Sequence, residues 1–191
     1  MHQTHLRHVS GLCLRNDSVV SETWYPLALR VGGRTLFLLW SSDDGALNRV
    51  LADAGWVVSF SDEVSAREYA RAENLPLAPK QELHLHDLDR AVRWLEADAE
   101  PDCRVLLAIW NLAGDVARSV DEPFEDRGEV LDDVYNKLFF GNNLPSMTTP
   151  GDQYIPEWTE EELGSLRART EMAVHLIRDR VVAPGGRPGP A

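Results

Sequence analysis

The chain has 191 residues, a net charge of −12 and a hydrophobic content of 43%. That is enough for a sizeable core, so folding requires neither a disulfide framework nor a structural metal. No apolar run approaches the twenty or so residues of a membrane span, and the opening stretch MHQTHLRHVSGLCL lacks the long apolar segment of a signal peptide, so the expected location is the cytoplasm.

The charge is unevenly placed. Residues 1–60 balance five arginines against five acids, whereas residues 61–191 hold 14 basic and 26 acidic residues and carry the whole deficit. A field of that sign repels phosphates, so neither nucleic acid nor an anionic membrane is an expected partner, while a basic protein is. Acidic surfaces also serve plain solubility, which is the commoner reason for them. Cys13 and Cys103 are far apart in apolar settings and read as two buried free thiols.

The first sixty residues carry strand signals, beginning with the short apolar run VSGLCLR at 9–15. WYPLALR and TLFLLW are strand-like runs joined by Val31-Gly32-Gly33-Arg34, which suits a tight hairpin. LNRVL and WVVSF flank Ala52-Asp53-Ala54-Gly55, a second hairpin candidate. Leu47, Val50, Leu51 and Ala54 also fit one short helix, but the β-formers Trp56, Val57, Val58 and Phe60 favour an antiparallel meander.

From Ser61 the period changes. SDEVSAREYARAENL reads as a helix capped by Ser61 and stopping before Pro76. ELHLH alternates as an isolated strand would, and Asp87 then caps a helix through Leu88, Val92 and Leu95. In CRVLLAIWNLAGDVARSV, Leu106, Ile109, Ala113, Val116 and Val120 share a helical face, with Arg104, Asn111, Asp115 and Arg118 opposite. EVLDDVYNKLFF is helical again, with Gly141 as the expected left-handed terminator. Thr159 and Glu162 form a capping box for the last helix, with Trp158 and Leu163 in the staple positions.

The expected fold class is therefore α+β: an N-terminal antiparallel β-meander over about 9–60, packed against four to five C-terminal helices. One domain covers residues 1–182, β-rich over 9–60 and helix-rich over 61–182. The Pro- and Gly-rich residues 183–191 form a disordered tail.

Catalytic signatures are scarce. There is no G-x-S-x-G elbow, no phosphate-binding glycine loop and no twelve-residue calcium loop, so no catalytic residue and no cofactor is assigned. His2, His5 and His8 recur every three residues but lack a companion ligand. His84 and His86 lie at i and i+2, which point the same way on a strand, and Asp89 or Asp87 could complete a two-His-one-carboxylate metal set. A solvated strand end running into an Asp-capped helix explains the same residues, with Asp87 already used as the cap.

The most distinctive arrangement runs from 121 to 156. DEPFEDRGEVLDD (121–133) holds seven acids and one arginine and leads into the helix ending at Phe139-Phe140. These two rings point about 100° apart on a helix, so full burial of both is not expected. The loop from Asn142 to Pro156 carries three prolines and is expected to be ordered, either as a functional surface or as a connector pinned by its aromatics. An aromatic patch bordered by acids and amides has the composition of an interface for a basic partner. The candidate binding residues are Asp126, Glu129, Asp132, Asp133, Phe139, Phe140, Asn142, Asn143 and Tyr154. The resulting expectation is a non-catalytic acidic protein that binds a basic partner, such as an immunity or inhibitor protein. The alternatives are a metal-dependent hydrolase using His84 and His86, and a regulatory or structural subunit that dimerises through Phe139, Phe140 and Tyr154. Monomer and homodimer are both compatible with the sequence.

Overall fold

A computed structural model describes residues 22–42, 47–79, 83–97, 99–125, 127–149 and 151–181. The strand expected at 9–15, Cys13, the three N-terminal histidines, Asp126 and the tail at 183–191 lie outside the described residues. The fold is α+β. Strands β1 (Thr23–Val31) and β2 (Arg34–Ser42) form a long antiparallel hairpin in register from Thr23–Ser42 to Val31–Arg34. Gly32 and Gly33 both have positive φ, 58° and 74°, which is why the two-residue turn demands glycine. Residues 49–60 are strand rather than helix: β3 (Arg49–Val50) and β6 (Ser59–Phe60) both pair with β2 on its free edge, and β4 (Ala52–Asp53) pairs with β5 (Trp56–Val57) across the Ala54-Gly55 turn.

ELHLH is not an isolated strand. Its last two residues, Leu85 and His86, form β7 (Leu85–Asp87) with the following Asp87, and this strand pairs parallel with β1 at Ala28, Leu29 and Arg30. The unpaired edge of β1 needs partners for its amides and carbonyls, and β7 supplies them, turning the meander into a mixed sheet of order β3-β2-β1-β7 with β6 also on β2. Both faces of this sheet are covered. Trp24 and Leu39 pack with Ala66 and Ala70 of α1 (Glu63–Ala72) on one side. Leu27, Leu29 and Leu38 belong to the core on the other, where α2 (Leu88–Glu96) and α3 (Cys103–Val120) lie against the sheet and α5 (Glu160–Arg180) packs on those helices. Coverage on two faces explains why WYPLALR and TLFLLW read as nearly continuous apolar runs rather than strict alternations.

Helix α3 sits at the centre, touching α2, α4 (Glu129–Gly141), α5 and the sheet. Its apolar face is buried as the spacing requires, with Leu106, Ile109, Ala113 and Val116 all at 2% exposure or less. Asp115 is a departure: it is buried too, accepting from Trp40 Nε1 at 2.7 Å and ion-paired with Arg118. The Ser119 hydroxyl donates to the Asp115 carbonyl and accepts from the Val50 amide, so this side of α3 is keyed to β2 and β3 by polar contacts.

The helix ends follow local chemistry. Asp62, not Ser61, caps α1, its carboxylate accepting from Ser65 N at 2.8 Å while Ser61 donates to it. Asp87 caps α2 and Thr159–Glu162 form the reciprocal capping box of α5. Gly141 is not left-handed. It closes α4 in helical conformation, where an added Cβ would lie 2.6 Å from Cys103 Sγ and 3.2 Å from Pro156 Cδ. The left-handed residue is Asn143, with φ of 48°.

Candidate functional site

Helix α4 delivers the candidate residues to two ends of one element. Its N-terminus has Gly128 as cap and makes no side-chain cap hydrogen bond, so Glu129 and Asp132 in the first turn supply the negative charge that the helix dipole favours there. Asp132 also lies 3.6 Å from Arg127, whose guanidinium sits over the Tyr135 ring. Glu129, Asp133, Asn136 and Phe140 are all exposed, and at 3.6 residues per turn they fall on one face. With a rise of about 1.5 Å per residue, Asp133 is roughly 10 Å and Glu129 roughly 16 Å from Phe140 along the axis. The acids and the aromatic group therefore share a strip without touching.

At the C-terminal end the two phenylalanines separate. Phe139 packs against the core, whereas Phe140 is 54% exposed. Phe140 meets Phe139 edge-on at 5.5 Å and Tyr154 edge-on at 6.2 Å between ring centroids. Asn142 closes the helix through its amide to the Leu138 carbonyl. Asn143 then reaches across the loop: its Nδ2 donates to the carbonyls of Gly141 and Tyr154 at 2.9 and 3.0 Å, and its Oδ1 accepts from Tyr154 N at 2.8 Å. The loop is thus pinned by an asparagine amide that pairs with backbone as a strand would, and one aromatic pair closes over it.

This pinning shapes an open hollow of about 300 Å³. Phe139, Phe140, Leu144, Met147 and Tyr154 form its apolar lining, and Thr148, Thr149 and Asp152 its polar lining. Phe140, Leu144, Met147 and Tyr154 are exposed, and Ile155 next to Tyr154 is more exposed still, at 81%. Leu144, Met147, Thr148, Thr149 and Asp152 are absent from the set drawn from sequence. Their only sequence signal is position inside a proline-rich loop, because no periodicity marks residues that converge through turns such as Asp152 N to Thr149 O.

The histidine pair has different surroundings. His84 is exposed and His86 is half-buried on β7, its Nδ1 enclosed without a hydrogen-bond partner. Burial disfavours the imidazolium and lowers its pKa from 6.5 to about 4, so His86 is neutral at physiological pH. Asp89 does not turn toward the histidines as a ligand. Its two carboxylate oxygens accept from Gly32 N at 2.7 Å and Gly33 N at 2.8 Å, clamping α2 to the hairpin turn. Among the described residues no group of three or more His, Cys, Asp or Glu side chains is placed to hold a metal ion. Cys103 is a buried free thiol whose pKa is raised by burial and by the neighbouring Asp102, the opposite of an activated nucleophile.

No helix among the described residues is long and apolar enough to cross a membrane. No protein-family model matches the chain, no curated protein is significantly similar to it, and no solved structure matches it.

Proposed function

We propose that this is a non-catalytic protein-binding protein that captures a basic partner, in the manner of an immunity or inhibitor protein acting in the cytoplasm. The observation that carries the reading is the exposure of Phe140, at the end of α4, and of Tyr154, on a loop that is nevertheless fixed by three hydrogen bonds involving the Asn143 side chain. Exposing large rings is unfavourable, and fixing them in place gives an interface anchor whose ordering cost is met before binding. Glu129 and Asp133 on the same helical strip, within a chain of net charge −12, add the complementary field that speeds encounter with a basic surface.

The test is affinity capture from the native lysate at low and then moderate salt, read by mass spectrometry. The expected result is a partner of high isoelectric point, retained at low salt and progressively lost as salt screens the field. A partner that is acidic, or whose retention is indifferent to salt, speaks against the reading.

A further inference from the structure

The hollow beside Phe140 has a composition that restricts what enters it. Its volume of about 300 Å³ is at the low end for sites that enclose whole small molecules, and it suits a single long side chain. Leu144 and Met147 offer apolar surface, Phe140 and Tyr154 offer aromatic rings, and Asp152 brings a carboxylate. Among the described residues no cationic side chain lines it. Apolar walls alone would admit leucine or phenylalanine equally well. A carboxylate and aromatic rings lining one hollow, on a protein of net charge −12, favour a side chain with an apolar stem and a planar cationic head. A guanidinium meets both demands, since it stacks on aromatic rings and binds a carboxylate through two parallel N–H donors.

We propose that this hollow is a receptor for one arginine side chain of the basic partner, with Asp152 as the anion and Phe140 and Tyr154 as the ring contacts. The proposal rests on the partner-binding reading above and names its central contact. The threonine hydroxyls of Thr148 and Thr149 are available at the polar rim to accept further N–H groups.

The test titrates the whole protein with N-acetyl-arginine amide and, in parallel, with N-acetyl-citrulline amide, which has nearly the same shape but no charge. Binding is followed through the NMR signals of the Met147 methyl and the Tyr154 ring. The expected result is a saturable shift of both signals by the arginine compound, with the citrulline compound binding about tenfold more weakly, the difference that one exposed cation–π contact plus one exposed ion pair provides. Asp152→Asn should cut that preference to about threefold, the part left to the ring contacts. Equal binding of the two compounds by the wild type, no shift at either signal, or a preference unchanged by Asp152→Asn would each overturn the proposal. The two readings fail separately. Arginine binding in the hollow without any basic partner in the lysate upholds the receptor and removes the wider function. A basic partner that is lost on Phe140→Ser, from a protein whose hollow ignores arginine, does the reverse.

Discussion

Asn143 holds Tyr154 by both sides of its backbone, its side-chain amide accepting from Tyr154 N and donating to Tyr154 O, while a third bond returns to Gly141 O. Only a carboxamide offers a donor and an acceptor in that fixed pairing, and asparagine also tolerates the left-handed φ of 48° at this position. Asn143→Ala therefore loses three hydrogen bonds and strains the backbone. We expect hydrogen exchange at the Tyr154 amide to accelerate by two or more powers of ten, on the basis of about 1 kcal/mol per hydrogen bond. Amides in the middle of α3 should keep their protection. Unchanged protection at Tyr154 would mean that the loop is held by its aromatic contacts instead.

Gly141 and Cys103 form a second fixed contact. With a Cβ only 2.6 Å from the Cys103 sulfur, Gly141→Ala should destabilise the protein by about 1–3 kcal/mol, the range for overpacking a tight site. Replacing the sulfur by hydrogen in Cys103→Ala opens the space, so the double variant should recover at least half of that loss. The measurement is a double-mutant cycle by urea unfolding, and additive free energies would contradict the contact.

Asp115 makes a prediction about the interior. It joins Trp40 and Arg118 beneath β2 and β3, so Asp115→Ala leaves the indole N–H without its acceptor and the guanidinium with the Asn48 carbonyl but no carboxylate, and should cost about 3 kcal/mol. Asp115→Asn keeps an acceptor for Trp40 and should cost roughly half as much. Equal losses for the two variants, by the same unfolding measurement, would show that charge rather than hydrogen bonding dominates there.

His86 sets a pH dependence. Its imidazole is held neutral by burial with a pKa near 4 when folded, against 6.5 when unfolded, so the unfolded chain takes up the proton first as pH falls. Stability is then full above about 6.5 and declines toward pH 4, by ~3 kcal/mol in all. Asp62 and Glu162 act lower. Hydrogen bonds from Ser65 and Lys137 hold their carboxyls below the ordinary 3.8 and 4.5, so their contributions are lost only as pH falls through those depressed values. Among the described residues the shift that acts between pH 6.5 and 4.5 is that of His86, and His86→Leu should flatten the slope there in a series of denaturant unfolding curves. A slope unchanged by that substitution would place the titration elsewhere.

Much of this architecture is written locally in the chain. The Gly32-Gly33 hairpin, the Asp87 cap, the Thr159–Glu162 box and the buried stripe of α3 each depend on residues within a few positions of one another, and each is legible for that reason. What is not legible depends on distant neighbours. The pairing of β7 with β1 joins Leu85 to Ala28 across the whole of α1. Asp115 reads as a surface residue because its partner Trp40 lies 75 positions away. Gly141 reads as a helix terminator because nothing nearby reveals that Cys103 packs against it. At the candidate site, Phe139, Phe140, Asn143 and Tyr154 stand out by type, whereas Leu144, Met147 and Asp152 join them only once Asn143 has folded the loop. Glu129 and Asp133 share a strip with Phe140 but stand off from it, a spacing that composition alone does not convey.

The most direct measurement of the central claim is capture from native lysate by the wild-type protein and by the Phe140→Ser/Tyr154→Ser variant side by side at low salt, after circular dichroism has shown equal folding of the two. If the fixed aromatic patch is the anchor, a basic protein is retained by the wild type and released from the variant. Equal retention by both proteins, or no basic protein on either, would contradict it.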